Sequence, residues 1–297
     1  MNVLSVFDGM WCGQIALDQL NIPVENYYAA EIDKFAIKVA TANFPGMIQL
    51  GDVTTVDPAK LPKIDLLIGG SPCQGFSFAG NNLNFDDPRS KLFFEAVRIL
   101  EEAKVINPNV KFLMENVRMK KESEQVITDY LGVEPIAINS RIFSAQSRYR
   151  LYWTNLEVGE IPQDKGIVLK DILEDDYITD RDKSHCIDAN YFKGGNLKSY
   201  FEKHRRQLVF SKDGLCHVGD AEEPKIMQRA RGWNKGGLKA LDGKTPSITT
   251  SSWEHNNHLT KDEGYTWRKL TPLECERLQT VPDNYTNHVS NTQRYKM

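Results

Sequence analysis

A cysteine on a turn rich in glycine and proline is the first residue of this chain whose surroundings suit it to chemistry. Cys73 lies in Ile68-Gly69-Gly70-Ser71-Pro72-Cys73-Gln74-Gly75-Phe76-Ser77, directly after the apolar run Asp65-Leu66-Leu67-Ile68. A loop fixed by proline and opened by glycines presents its thiol, and the carboxyl ends of strands are where open α/β sheets place their chemistry. An isolated cysteine also serves as a small buried hydrophobe. As a nucleophile it needs its thiolate, which neighbouring positive charge favours. Glu115, in Glu115-Asn116-Val117, follows the strand-like Lys111-Phe112-Leu113-Met114 and offers a carboxyl for proton transfer. Arg148 and Arg150, in Gln146-Ser147-Arg148-Tyr149-Arg150 before the apolar Leu151-Tyr152-Trp153, stand two apart and share a face of an extended segment. Taken singly, Glu-Asn also fits a strand-end turn, and paired arginines fit surface charge beside a strand.

A second group of residues suits a nucleotide-like ligand. Phe7-Asp8-Gly9-Met10-Trp11-Cys12-Gly13 follows the first apolar run and opens a helical pattern, the position at which doubly wound folds bind such cofactors. Glycine there lets the backbone approach the ligand closely. Glu31, 22 residues after Gly9, closes the second apolar run and is placed to bond ribose hydroxyls. Asp52, in Gly51-Asp52-Val53 after the third, adds an acceptor suited to an adenine amino group.

These groups need a scaffold, and the first 150 or so residues alternate apolar runs with helical periodicity, the βαβ rhythm of a doubly wound sheet. Strands are expected at Val3–Val6, Tyr27–Ala30, Met47–Leu50, Asp65–Ile68, Lys111–Met114 and Ile136–Ile138. Helices are expected over Gln14–Leu20, Lys34–Ala42 and Lys91–Ala103, where apolar residues recur at spacings of three and four. After about Asn155 strands become hard to place, and Gly, Lys, Asn and Ser accumulate in Lys193-Gly194-Gly195-Asn196 and Asn234-Lys235-Gly236-Gly237. Order returns at Arg268–Gln279, where Thr271 can cap a helix with Pro272 at its first position.

Composition narrows the class. A chain of 297 residues can bury a full core and hold one large domain and a smaller one. No apolar run is long enough to cross a membrane and no leader pattern opens the chain, so it reads as soluble and intracellular. The five cysteines are scattered, with no Cys-x-x-Cys pair and no histidine at metal-ligand spacing, which suggests neither a disulfide framework nor a zinc site. The net charge of −3 hides an asymmetry: Arg181 to Thr245 holds 14 Lys/Arg against 8 Asp/Glu, a balance of +6 that leaves −9 elsewhere. Phosphate contacts need local positive charge, which marks this segment as a candidate DNA-facing one, with a solvated basic surface as the plainer alternative.

With Pro72-Cys73-Gln74, Glu115-Asn116-Val117 and Gln146-x-Arg148-x-Arg150 in this order, the chain resembles the cytosine-C5 DNA methyltransferases of bacterial and phage type. Ser90-Lys91-Leu92-Phe93-Phe94-Glu95 is also similar to members close to the animal de novo branch. The resemblance implies an α/β fold, a Rossmann-like S-adenosylmethionine-dependent methyltransferase sheet with a smaller, loop-rich target-recognition domain. It divides the chain into a catalytic and cofactor domain at 1–155, a recognition domain at 156–264 and a return segment at 265–297. The implied activity is methyl transfer from S-adenosyl-L-methionine to C5 of a flipped cytosine in a specific double-stranded DNA sequence, with no metal and no membrane partner.

In that chemistry Cys73 adds to C6, because C5 alone is too weak a nucleophile, and Glu115 donates to N3, a role that needs its acid form. Arg150 bonds the cytosine carbonyl and steadies Glu115, while Arg148 supports the Cys73 loop. No residue stands out as the base for the C5 proton, and water can serve. The cofactor set carried over by motif is Phe7, Gly9, Glu31, Asp52, Val53, Pro72 and Leu92. Base flipping follows because C6 is unreachable within a duplex, with 75–87 as the closing loop. The loops 235–244 and 251–257 are candidates to read base edges. The setting implied is restriction-modification or phage self-protection, in the cytoplasm of a bacterial or phage-infected cell and associated with the nucleoid.

Two features depart from the pattern. Trp11 stands where relatives carry glycine, alanine or serine, so an indole in the cofactor loop is expected to weaken binding unless it swings outward or the loop is rebuilt. Ser290–Met297 resembles the entry to the family's last motif, whose Gly-Asn-Gly continuation does not follow, so either the sequence is cut short there or a pocket wall is missing. They motivate one rival, a DNA-binding protein of methyltransferase fold with impaired activity; an RNA cytosine methyltransferase on the same core is another.

Overall fold

In the computed structural model, residues 1–72, 88–195, 200, 203–210, 225–228, 237–240, 258–260 and 267–297 are described. The strands expected from the apolar runs form: β1 (Asn2–Val6), β2 (Asn26–Ala30), β3 (Ile48–Gln49), β4 (Leu66–Gly69), β5 (Lys111–Val117) and β6 (Ile136–Asn139), joined by β7 (Tyr149–Thr154). They make one seven-stranded sheet in the order β3-β2-β1-β4-β5-β7-β6. The first five strands run parallel, and β7 lies antiparallel between β5 and β6. The helices are α1 (Cys12–Gln19), α2 (Lys34–Asn43), α3 (Pro88–Ile106) and α4 (Lys121–Leu131). The sheet is thus the doubly wound one anticipated, with an antiparallel strand near one edge.

Both faces of the sheet are covered, which is why β1 and β2 read as continuous apolar runs without polar alternation. One core joins Leu4, Leu67, Phe112, Met114 and Trp153 to Ile99 and Leu100 of α3 and Ile127 of α4. A second joins Val3, Tyr27, Ala29 and Leu66 to Leu17 of α1 and Ala40 of α2. Asp33 caps α2 by accepting from the amides of Phe35 and Ala36, and Gly132, at φ 71°, ends α4 in the left-handed conformation that glycine adopts without strain. Helix α3 runs beyond the expected Lys91–Ala103 at both ends. Helix α4 escapes the hydrophobic pattern because its buried stripe, Ser123, Ile127, Thr128 and Leu131, is half hydroxyl-bearing.

Strand order reverses between β1 and β4, so the loops leaving their carboxyl ends flank the crevice in which such sheets bind ligands. Both loops had been marked by chemistry-bearing residues, Phe7–Trp11 and the segment that enters at Gly70. The remaining strands are short. β9 (Lys225–Gln228) pairs antiparallel with β10 (Gly237–Ala240) and β11 (His258–Thr260), while β8 (Leu208–Phe210) pairs antiparallel with β12 (Trp267–Lys269).

The last part of the chain returns to the sheet. Helix α5 (Pro272–Leu278) begins as expected, with Thr271 accepting from the Glu274 amide, Glu274 reciprocating, and Pro272 in the first turn. Past α5, Tyr285 donates from its hydroxyl to the Met10 carbonyl at 2.6 Å and accepts from Asn43 Nδ2 at its own carbonyl at 2.9 Å, docking the segment on α1 and α2. A short helix, α6 (Asn291–Arg294), delivers Arg294 to Glu276 at 2.8 Å, with both side chains almost fully buried.

Candidate active site

The ends of β5 and β7 bring the predicted acid and the predicted cations together. Register places Val117 beside Arg150 and Glu115 beside Tyr152, so the side chains of Glu115 and Arg150 meet on one face of the sheet. Arg150 Nε lies 2.7 Å from Glu115 Oε1, and Arg148 Nη2 lies 3.9 Å from the same oxygen. The Arg150 Nε–H is buried without a hydrogen bond of acceptable angle, so the short contact is an ion pair rather than a directed bond. Arg150 Nη1 donates to the Tyr149 carbonyl at 2.8 Å, which fixes the guanidinium from its far side. Across the carboxylate stands Gly70, where an added Cβ would come 2.9 Å from Glu115 Oε2. Glycine leaves that space to the acid, and a side chain there would have to push the carboxylate aside.

The next residue ties this acid to the cysteine loop. Asn116, buried, donates through Nδ2 to Ser71 Oγ at 3.2 Å and to the Ser71 carbonyl at 3.3 Å. Ser71 and Pro72 lead into Cys73, which itself lies outside the described residues, as do the 75–87 loop and the reading loops 235–236, 241–244 and 251–257. The arginine segment is cradled by the end of β6. Asn139 Oδ1 accepts from the Arg148 amide at 3.0 Å, Ser140 N donates to the Arg148 carbonyl at 3.0 Å, and Ser140 Oγ donates to the Gln146 carbonyl at 2.9 Å. Besides Glu115, Arg148 Nη1 approaches Cys186 Sγ at 4.0 Å.

The loop after β1, where the cofactor is expected, is tightly wound, with Phe7, Gly9 and Trp11 at φ 56°, 64° and 74°. Two of these are aromatic residues in a region where bulky side chains are strained, at about 1–3 kcal/mol each. The spacing of 22 between Gly9 and Glu31 proves to be a contact: Gly9 N donates to Glu31 Oε2 at 2.8 Å. Glu31 Oε1 accepts from the amides of Ile32 and Asp33 at 2.8 and 2.7 Å, so three backbone donors aim the carboxylate. Ile32 beside it is 75% exposed, an apolar shelf next to polar acceptors. On the neighbouring strand Asp52 caps a 3-10 turn over Val53–Thr55, and the backbone and hydroxyl of Thr54 hold its carboxyl below the usual range. Val53 is buried, Pro72 is half-buried, and Phe7 and Leu92 pack at the margin of the main core.

Asp8 was not singled out by sequence. Its Oδ1 accepts from the Tyr27 hydroxyl at 2.8 Å, while Oδ2 is buried without a partner. Burial, which outweighs the opposing pull of the Ser5 and Tyr27 hydroxyls, pushes its carboxyl up to about 7.

Trp11 departs from the outward swing that would have cleared the ligand. Its indole turns inward, 1% exposed, with ring centroids 4.9 Å from Tyr27 and 5.5 Å from Phe44. It joins the second core at the cost of a buried Nε1 that finds no acceptor. The left-handed backbone at Trp11 directs the side chain beneath the loop.

The residues that hold the site without reacting were only partly legible. Asn116 and Gly70 belong to segments the sequence already marked, although their packing roles are visible only across β4 and β5. Asn139, Ser140 and Ile32 carried no local signal. Among the described residues no group of three or more His, Cys, Asp or Glu is arranged to hold a metal, and no helix is long and apolar enough to cross a membrane.

The chain that carries this site is similar to known proteins along its whole length. The type II methyltransferase M1.ScrFI of Lactococcus lactis subsp. cremoris is 29% identical over 311 residues, covering 99% of this chain and 72% of that protein. The type II methyltransferase M.HhaI of Haemophilus parahaemolyticus is 27% identical, covering 100% of this chain and 88% of its own. A crystal structure of a Spodoptera frugiperda DNMT2 mutant shares the fold, with a TM-score of 0.60 at 20% identity, covering 99% and 93% of the two chains. The model of the C-5 cytosine-specific DNA methylase family matches residues 1–297, end to end. The order of motifs, the sheet that carries them and this unbroken match agree: the chain belongs to the C-5 cytosine-specific DNA methylases.

Proposed function

We propose that this methyltransferase transfers a methyl group from S-adenosyl-L-methionine to C5 of a cytosine swung out of double-stranded DNA. The observation that carries the reading is the Glu115 carboxylate held between Arg150 and Gly70, one residue before the Asn116 that anchors the Cys73 segment at Ser71. Residues 1–155 serve as the catalytic and cofactor domain, 156–264 as the recognition domain and 265–297 as the return segment. The setting is the marking of DNA in a bacterial or phage-infected cytoplasm.

The cofactor residues fit the group. Glu31 and Asp52 stand at the ends of the adjacent strands β2 and β3 as acceptors for hydroxyl and amino donors, and Ile32 offers an apolar surface to a base. A Cβ on Gly9 would meet nothing within 4 Å, so the backbone there is open to a ligand. When bound, S-adenosyl-L-methionine supplies an electrophilic methyl group.

The chain's own residues prepare the base. The Cys73 thiolate adds to C6, forming a C–S bond and pushing the ring's electron pair toward C5, while Glu115 in its acid form gives a proton to N3. Arg150 keeps the carboxyl in place as its charge changes, and Arg148 adds positive charge to the same oxygen from 3.9 Å. Once C5 carries the methyl group, a base, for which water suffices, removes the C5 proton; that electron pair re-forms the C5–C6 double bond and expels the Cys73 thiolate, while N3 returns its proton to Glu115.

The test is labelled methyl transfer to mixed-sequence duplex DNA with Cys73→Ala as the blank, followed by mapping of modified cytosines. Label that depends on Cys73 and lies on C5 is the expected result; incorporation that survives Cys73→Ala overturns the mechanism. Transfer to transfer RNA but not to duplex DNA overturns the substrate.

A further inference from the structure

The turn Lys203-His204-Arg205-Arg206 places consecutive cationic or protonatable side chains beside the catalytic face, with the first three exposed. Its backbone is unusual, since His204 and Arg206 take φ of 49° and 59°, a left-handed conformation that histidine visits more readily than most residues but that a long side chain such as Arg206 adopts when its surroundings enforce it. The enforcement is visible. Arg206 Nη1 turns back to donate to the Gly194 carbonyl at 2.9 Å. Beneath it, a Cβ on Gly195 would fall 2.7 Å from Leu208 Cδ2 and 3.3 Å from the Arg206 carbonyl, so the turn sits directly on backbone that has no room for a side chain. A solvated charge run needs neither strain nor such support.

The turn is also continuous with the active site. From Glu115 the row of contacts passes to Arg148 at 3.9 Å and on to Cys186 at 4.0 Å. The adjoining His185 stands 5.6 Å, ring to ring, from His204. Gln207, just past the turn, accepts from the His185 amide at 3.1 Å and so fixes the two segments together. Among the described residues Asp188 reaches into the turn, 3.8 Å from an Arg205 that stays 66% exposed and so faces outward.

We infer that the Lys203–Arg206 turn is a preformed clamp for the phosphodiester backbone of the DNA substrate, with Lys203 and Arg205 as the phosphate contacts and Arg206 as the positioning residue. The inference rests on the reading of duplex DNA as substrate and adds where the strand is gripped. Cations held on a rigid turn bind phosphate with less ordering cost than cations on a free loop.

Fluorescence anisotropy of a labelled mixed-sequence duplex, titrated with protein between about 50 and 300 mM salt, tests it without requiring catalysis or cofactor. Lys203→Ala/Arg205→Ala is expected to bind roughly tenfold more weakly near 0.1 M salt and to flatten the slope of log K against log salt by about 1.8, or 0.9 for each phosphate lost. Lys203→Arg/Arg205→Lys is expected to keep the wild-type slope. So is Lys60→Ala/Lys63→Ala, which removes the same net charge from exposed positions between β3 and β4. A slope for Lys203→Ala/Arg205→Ala equal to wild type overturns the clamp. Equal flattening by Lys60→Ala/Lys63→Ala also overturns it, because net charge alone would then account for the effect. A wild-type protein that binds no duplex at all overturns the substrate reading instead, which separates the two failures.

Discussion

Glu115 shows how little space separates a poised acid from a displaced one. Its Oε2 fills the position a side chain at residue 70 would take, so Gly70→Ala forces the carboxylate aside by pushing on the free end of a flexible chain. Folding is expected to survive while kcat falls by about two orders of magnitude, since an ångström of misplacement costs that much in an oriented reaction. Steady-state methyl transfer beside a melting curve checks this, and near-normal kcat would mean that Glu115 tolerates displacement. Asp8 makes a different kind of prediction. Burial raises its carboxyl to about 7 in the folded chain, against an ordinary value of 3.8. The folded state therefore binds the proton more tightly than the unfolded one, and stability falls as pH rises from about 4 to 7 and levels off above. Asp8→Asn removes that ionisation; its stability curve, read by urea unfolding at pH 5, 6, 7 and 8, is expected to decline less over this window than that of the wild type.

Among the elements, α5 was the best announced by its residues. Thr271 and Glu274 form a reciprocal capping box and Pro272 occupies the first turn, all of it encoded within four consecutive positions. Thr271→Ala is expected to cost about 1 kcal/mol, measured as a lower urea midpoint at unchanged slope. Strands β1 and β2 were equally legible, because a strand buried on both faces must be apolar throughout. Helix α4 was not, since Ser123 and Thr128 lie on its buried side and break the apolar count. At Trp11 the position was legible and the outcome was not. The residue type left the direction of the indole open, and a left-handed backbone with the neighbouring rings of Tyr27 and Phe44 gives it a place within the core.

Across the whole molecule, the return segment holds the two ends of the chain together. Glu276 accepts from the amides of Asn284 and Thr286 at 2.7 and 2.9 Å and pairs with Arg294, burying an ionic pair between α5 and α6. Arg294→Met strands the Glu276 carboxylate, and although its amide partners remain, the loss is expected to be about 3 kcal/mol. Differential scanning calorimetry beside Lys60→Met, at an exposed site, checks this; equal melting temperatures for the two variants would show that the pair contributes nothing net.

The sequence by itself determined the chemistry and the order in which it is supplied. Cysteine on a Gly/Pro turn, Glu-Asn-Val, paired arginines, acidic strand ends and the alternation of strand and helix are all local patterns, written in residue type and in periods of two and 3.6. Tertiary structure alone decided which of these groups touch. That Arg150 meets Glu115, that Gly70 leaves room for it, that Asn139 and Ser140 cradle the arginine segment and that Trp11 turns inward all depend on a strand order in which β4 lies between β1 and β5, and β7 between β5 and β6. Asn43 finds the Tyr285 carbonyl across 242 residues of chain. Contacts of that reach are chosen by how the sheet closes its core, and no spacing along the chain encodes them.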